Sequence, residues 1–179
     1  MNSIKVIANK INLDKLSIFN LGLKGGSKLS LKGILDLSGP GTWIRAVHLV
    51  ATEDINDLSD YGIGVANNGD GSDGEEYYLP GISASNGDDI LLARNTSTYP
   101  GSIGYGDNSL SNSGESVTLT DSNQQLVDIV TYSDGFQGDD DPWPQAADAE
   151  GATLELISAD LDNSIASSWQ ASFVIPGGT

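Results

Sequence analysis

The sequence predicts an all-β protein, specifically an antiparallel β-sandwich of immunoglobulin type. The 179 residues include Gly 22 and many Ser, Asn and Asp, which favour tight turns. No long apolar run follows the 3.6-residue helical period, so helix should be scarce. About eight or nine short apolar stretches, separated by turn residues over roughly 140 positions, fit two facing sheets.

The length allows one main domain with a small appendage. Residues 1–28 are expected to form an N-terminal extension or a leading strand, because apolar positions alternate only loosely before the break at "KGGSK". Residues 29–179 are expected to form the sandwich domain.

The first two strands follow from the apolar pattern. In "KLSLKGILDL" every second residue from Leu29 to Leu37 is apolar or glycine, so Ile34 is expected on the opposite, polar face. "SGPGTW" supplies a turn, and "IRAVHLVAT" is apolar enough to be the central strand, buried on both faces. The only histidine, His48, lies within this strand and is expected to be packed or hydrogen-bonded rather than catalytic.

Shorter strands follow. "LSDYGIGVANN", "EYYLP" and "ILLAR" each predict extended structure, whereas "NNGDGSDGEE" and "NTSTYPGSIGYGDNS" predict loops. "ESVTL", "TDSNQQ" and "LVDIVTYS" together predict a hairpin. Its inward side chains are expected to be Val117 and Leu119 on one strand and Val127, Ile129 and Thr131 on the other. "DGFQGDDDPWPQAADAEG" predicts a long loop before a last strand, "ATLELI".

The charge is unevenly distributed along the chain, whose formal net charge is −17. Six of the 8 basic residues lie within the first 32 positions, where Asp14 is the one acid. The remaining body is acidic and repels phosphate backbones, so nucleic acid is not expected as a partner. The N-terminal lysines either keep a strand edge soluble or form a basic patch.

Four stretches in the second half, taken in order, resemble the bacterial lamin-tail domain, an immunoglobulin-like module first described in nuclear lamins. They are "LSNSGESVTLTDSNQQLVDIVTYSD", "DPWP", "GATLELI" and "LDNSIASSWQAS". "LKGILDL", "RAVHLVATEDINDLSDYGIGVANNGDGSDGEEYYLP" and "GDDILLAR" resemble its first half more loosely. The resemblance covers residues 29–172. It implies a non-catalytic binding or attachment unit of secreted or surface proteins, which are often nucleases, phosphatases or other hydrolases.

The candidate site residues lie mainly in loops. A glycan- or protein-binding role is predicted for the aromatic residues Tyr77, Tyr78, Phe136 and Trp143. Trp143, between two prolines, is expected to close one end of the sandwich, and Trp169 the other end or an edge. Oxygen ligands in two loops are candidates for calcium, or are simply solvated: Asn68, Asp70, Asp73, Glu75, Asp139, Asp140 and Asp141.

We therefore expect a module that binds protein or glycan at a bacterial cell surface through loops or a sheet edge. The alternatives are an extracellular hydrolase that uses carboxylates or calcium, and an inert spacer of a larger enzyme. Cys 0 excludes disulfides and thiol chemistry. The first twenty residues lack the apolar core of a secretory signal, so an extracellular location requires a signal outside this sequence. No apolar run is long enough to insert into a membrane.

Overall fold

The computed structural model describes residues 27–39, 42–66, 77–97, 99–105, 110, 114–133, 141–144 and 152–172. The predictions made for residues 1–26 lie outside this part of the chain. The described residues are mostly β-strand with almost no helix, as the sequence predicts. Two short 3-10 turns occur in it, Leu58–Asp60 and Ala166–Ser168.

Ten strands are described. They are β1 Leu29–Gly39, β2 Thr42–Ala51, β3 Tyr61–Ala66, β4 Tyr77–Tyr78, β5 Asp89–Ala93, β6 Ile103–Gly104, β7 Glu115–Asp121, β8 Leu126–Tyr132, β9 Leu154–Leu156 and β10 Trp169–Ala171. Six form one sheet in the order β10-β9-β1-β2-β5-β6, and four form a second in the order β4-β3-β7-β8. Strand β2 is central, as its apolar sequence predicts. Every described strand pair is antiparallel except β5 with β6, a short parallel pair that corrects the fully antiparallel expectation.

One hydrophobic core is shared by both sheets. The first sheet contributes residues such as Leu31, Val47 and Leu49, and the second contributes Ile63, Val117 and Leu119 among others. These side chains are almost fully buried. Burial of such aliphatic groups stabilises a fold by about 1.5–3 kcal/mol per side chain.

Strand β1 does not keep the strict alternation that its sequence predicts. A β-bulge between Leu31 and Gly33 shifts the register against β2. The extra residue reverses the faces, so Ile34 points into the core and is 2% exposed. The expectation that Ile34 lies on the polar face is therefore wrong. Gly33 lies on the outer face, where a Cβ added to it would lie 3.4 Å from Nδ1 of the His48 ring.

The β7–β8 hairpin forms as predicted, but the inward face of β8 differs. Val117 and Leu119 are buried, as expected. A register shift between Leu119 and Thr120 places Val130 and Asp128 opposite them. Ile129 and Thr131 therefore belong to the outer face, which corrects the prediction for them, because side chains that pair across strands share a face. Val127 packs partly buried against the core, as predicted. The carboxylate of Asp128 thus faces inward, and burying it is costly unless it is hydrogen-bonded.

Candidate functional site

The segment between β9 and β10 is unusual because it exposes large aliphatic side chains. We call residues 157–168 the aliphatic loop. Ile157, Leu161 and Ile165 are 51%, 37% and 48% exposed. Among the described residues, only three other large apolar side chains are comparably exposed, and all three lie outside this loop: Tyr78, Ile82 and Leu126. Three exposed aliphatic side chains within nine residues of one loop make it a candidate interaction surface in the described part of the chain.

Internal hydrogen bonds fix the backbone of the aliphatic loop. The Ile157 amide donates to the Ser168 carbonyl at 2.9 Å, and the Ser168 amide donates to the Ile165 carbonyl at 2.9 Å. The Asp162 carboxylate accepts from both the amide and the hydroxyl of Ser164 at 2.9 and 2.6 Å. A carboxylate bonded to an amide two residues on is an Asx turn, which the "LDNS" sequence favours. The aliphatic side chains therefore project from an ordered backbone.

Asn163 anchors the loop to both sheets. Its side chain is fully buried, and its amide Nδ2 donates to the Leu31 carbonyl of β1 at 3.3 Å and to both Asp128 oxygens of β8 at 3.0 and 2.9 Å. The Asn163 carbonyl accepts from the Trp169 indole at 2.9 Å. One residue thus joins β1, β8 and the start of β10.

Asp128 is the inward carboxylate of β8, and four groups donate to it. Besides Asn163, these are the Ser30 hydroxyl and the Leu31 amide, both at 2.8 Å, and the Ile129 amide at 2.9 Å. The Ile129 amide belongs to β8, an edge strand of the four-stranded sheet, whereas the Leu31 amide belongs to β1 inside the six-stranded sheet, so Asp128 joins the two sheets. Charge-assisted bonds of this kind are about twice as strong as neutral ones. Asp128 and Asn163 together form what we call the inter-sheet latch.

Two tryptophans pack beside this latch. The rings of Trp143 and Trp169 lie 6.1 Å apart between centroids and are tilted by 44°. The two rings therefore do not cover opposite ends of the sandwich, and Trp169 instead begins the edge strand β10, the alternative that the sequence left open for it. Trp169 is buried, and Trp143 packs partly buried against the core. Aromatic pairs at this spacing contribute about 0.5–1.5 kcal/mol beyond area burial, so the pair stabilises the base of the aliphatic loop.

Asp141 positions Trp143. One carboxylate oxygen accepts from the Trp143 amide at 3.0 Å, and the other accepts from the Ser133 hydroxyl at the end of β8. Asp141 was predicted as a calcium ligand, and both of its oxygens are engaged in this turn. Among the described residues, no three His, Cys, Asp or Glu side chains group as metal ligands would. The other six predicted ligands lie outside the described residues: Asn68, Asp70, Asp73, Glu75, Asp139 and Asp140.

The predicted aromatic binding residues do not come together in the described part of the chain. Tyr77 packs partly buried against the core, whereas Tyr78 is 54% exposed. Both lie on β4, at the edge of the four-stranded sheet opposite β8. Trp143 lies near β8 because Asp141 ties it to Ser133. Phe136 lies outside the described residues.

His48 lies on the outer face of the six-stranded sheet, and its ring is hydrogen-bonded, as predicted. Its Nε2 lies 2.9 Å from Asp89 Oδ1, and the Lys32 ammonium donates to the same oxygen at 2.8 Å. The bond from Lys32 holds the pKa of Asp89 below its usual value, and the bond and charge of His48 lower it further. The ring packs against Gly33, where an added Cβ would lie 3.1 Å from His48 Cβ. This arrangement positions the ring to bridge β2 and β5.

The surface charge around the aliphatic loop is negative. Asp160 is exposed, Asp162 is half-buried within the loop, and Glu155 is exposed on the adjoining β9. Lys28 and Lys32, at the start of β1, are each paired with a carboxylate. The segment that carries the aliphatic side chains therefore also carries acids and no basic residue, so the loop suits a ligand that is apolar and basic.

The sequence signals for this site were weak. The stretch "LDNSIASSW" belongs to the resemblance, but its aliphatic residues show no periodicity that separates exposed from buried positions. Asp128 interrupts an apolar strand, which was the one local indication of an inward polar group. The partners of Asp128 are distant along the chain, so the sequence does not reveal them.

Comparisons with known proteins give no assignment. No protein-family model matches the chain, and no curated protein matches its sequence. In the described part of the chain, no helix is both long and apolar enough to cross a membrane.

Proposed function

We propose that this chain is a non-catalytic protein-binding module, secreted or presented at a bacterial cell surface, that uses the aliphatic loop as its docking surface. The observation that carries the proposal is the exposure of Ile157, Leu161 and Ile165 on a loop held by the inter-sheet latch. We further propose that the two sheets form an immunoglobulin-like sandwich of lamin-tail type, supported by the shared core and by the sequence resemblance.

Rigidity supports a docking role. Binding to a mobile loop costs about 0.5–1.5 kcal/mol for each side chain that must be ordered. The aliphatic loop avoids part of that cost, because Asn163 is bonded to β1 and β8 and Asp162 fixes the turn. Burying a fully exposed isoleucine or leucine side chain contributes about 1.5–3 kcal/mol to binding. The partly exposed side chains seen here contribute proportionately less. The three side chains together contribute roughly 2–4 kcal/mol, and a micromolar complex requires about 8 kcal/mol, so polar contacts with the partner must supply the rest.

The partner that fits is a protein segment with aliphatic and Lys or Arg side chains. The acids Glu155, Asp160 and Asp162 lie on the same segment as the exposed side chains and favour basic groups. A glycan would need exposed ring faces for stacking, but Tyr77 and Trp143 pack against the core. The observations therefore favour a protein ligand over a sugar.

A peptide-display selection tests the proposal. The bait is the full chain, and counter-selection uses a variant with Ile157→Ser, Leu161→Ser and Ile165→Ser. The selection is also run on a variant with Leu13→Ser, Leu16→Ser and Ile18→Ser, because those residues resemble the sought ligand. We expect loop-dependent peptides rich in Leu, Ile, Lys and Arg.

Matched controls make the selection decisive. Ile82→Ser removes an equally exposed isoleucine from the segment after β4 and should leave binding unchanged. Circular dichroism must show that the triple loop variant keeps its strand content. Recovery of no loop-dependent peptide from either bait would overturn the proposal and leave the spacer alternative. Saccharide binding abolished by the loop variant would instead identify a glycan site.

A further inference from the structure

The chain itself contains a segment with the chemistry that the aliphatic loop favours. Residues 1–26 carry four lysines and one acid, Asp14, in a chain whose net charge is −17. They also carry aliphatic side chains at loosely alternating positions, which are Ile4, Val6, Ile7, Ile11, Leu13, Leu16, Ile18, Leu21 and Leu23. Their basic and aliphatic character complements the acidic and aliphatic loop.

This segment joins the described body close to the loop. The chain enters β1 at Leu29, and the Leu31 carbonyl is bonded to Asn163 of the aliphatic loop at 3.3 Å. Ser27 is fixed nearby, because its carbonyl accepts from the Thr52 hydroxyl. Four residues of extended chain span at most about 14 Å, so the segment starts within about that distance of the anchor of the loop.

Such a tether favours contact within one chain. Attachment close to a site gives a segment an effective concentration in the millimolar range at that site. An interaction with a dissociation constant of about 100 μM would then be roughly nine-tenths occupied. Only a few aliphatic contacts and one or two lysine–carboxylate pairs are needed for that affinity.

We propose that residues 1–26 dock on the aliphatic loop of the same chain and act as a built-in competitor for the partner. This inference rests on the proposed function, because it assigns an occupant to the same surface. An external segment must displace the tethered one. The apparent affinity of the external segment is therefore multiplied by the fraction of chains whose loop is unoccupied, which is about one-tenth at the occupancy above. The N-terminal segment would thereby set the threshold for partner binding.

Paramagnetic relaxation in the full chain tests the docking directly. The chain has no cysteine, so Asn20→Cys accepts a single nitroxide label. We expect the label to broaden the methyl signals of Leu161 and Ile165. The methyl signals of Ile82 should remain sharp, because Ile82 follows β4 at the opposite edge of the four-stranded sheet from β8. Adding Leu13→Ser, Leu16→Ser and Ile18→Ser to the labelled chain should restore the loop signals.

A mixed sample identifies which copy supplies the segment. Isotope-labelled native chain is mixed with unlabelled chain that carries the nitroxide. Sharp loop signals in the mixture, with broadening in the singly labelled chain, support docking within one chain. Broadening in the mixture shows docking from a second copy and overturns the proposal. The absence of broadening in both samples also overturns it.

Failure of this inference differs from failure of the proposed function. If residues 1–26 do not compete, a peptide obtained by display binds the native chain and the Leu13→Ser, Leu16→Ser, Ile18→Ser variant equally well. If they compete, that variant binds about tenfold more tightly. If the loop is not a docking surface, neither form yields a loop-dependent peptide.

Discussion

Replacing Asp128 by alanine should destabilise the protein strongly, because its carboxylate joins β1, β8 and the aliphatic loop. The substitution removes the acceptor for the Ser30 hydroxyl, the Leu31 amide and the Asn163 side-chain amide. Ser30, Leu31 and Asn163 are 1%, 0% and 0% exposed, so their donors cannot easily turn to bulk water. The Ile129 amide also loses its acceptor.

The expected magnitude follows from these orphaned donors. A buried donor left without an acceptor costs about 1–3 kcal/mol. Water can enter the space that a half-buried carboxylate leaves, which favours the lower end for each donor. Three buried donors therefore give a loss of about 3 kcal/mol in the free energy of unfolding. The free energy of unfolding of Asp128→Asn should lie within about 1 kcal/mol of that of the alanine variant. The substitution replaces one accepting oxygen by an NH2 group, which is a donor and faces other donors.

Urea denaturation followed by tryptophan fluorescence measures this loss, since Trp169 is bonded to Asn163. Asp160→Ala, at an exposed carboxylate of the same loop, is the matched control and should change stability by less than about 0.5 kcal/mol. A double-mutant cycle with Asn163→Ala should show a coupling of about 1–2 kcal/mol. Additive effects, or a loss below about 0.5 kcal/mol for Asp128→Ala, would refute the latch as described.

Two further predictions concern backbone strain and pH. Gly114→Ala should cost more than about 3 kcal/mol, because φ is +97° and the new Cβ would lie 2.4 Å from the Tyr132 carbonyl oxygen. Gly87→Ala, at φ +91° with no atom within 4 Å, should cost only about 1 kcal/mol, and equal melting temperatures for the two variants would contradict this. Because Lys32 lowers the pKa of Asp89, their interaction stabilises the fold above the ordinary carboxyl pKa and is lost as pH falls through the lowered value. Lys32→Met should therefore reduce stability by at most about 0.5 kcal/mol at pH 7, since Asp89 is largely exposed, and this difference should shrink as pH falls through the lowered pKa; a difference that stays constant during acid titration would contradict the assignment.

The sequence predicted the strand content and the central position of β2 because apolar runs and turn residues are local signals. The β7–β8 hairpin was predicted for the same reason. Two of the three inward residues predicted for β8, Ile129 and Thr131, were wrong, because a register shift lies next to Thr120 and the inward carboxylate of Asp128 is bonded to groups that are distant along the chain. The bulge in β1 likewise places Ile34 in the core and not on the predicted polar face.

The candidate site was harder to predict than the fold. Aromatic and acidic residues attract attention in a sequence because their chemistry is distinctive, and these were the residues predicted to bind. The aliphatic loop uses Ile157, Leu161 and Ile165, whose exposure depends on packing elsewhere. Its rigidity depends on Asn163 meeting Leu31, a contact between residues more than a hundred positions apart. The calcium and binding predictions in loops outside the described residues stay predictions.

The most direct test of the docking surface is a calorimetric titration of one display-selected peptide into three forms of the full chain, namely native, Leu161→Ser and Ile82→Ser. Loss of the apolar contact from Leu161, which is 37% exposed, should weaken binding about threefold to sixfold, since full burial of a leucine contributes about 1.5–3 kcal/mol. Ile82→Ser should bind like the native chain. Equal affinity of the Leu161→Ser and native chains would contradict the account.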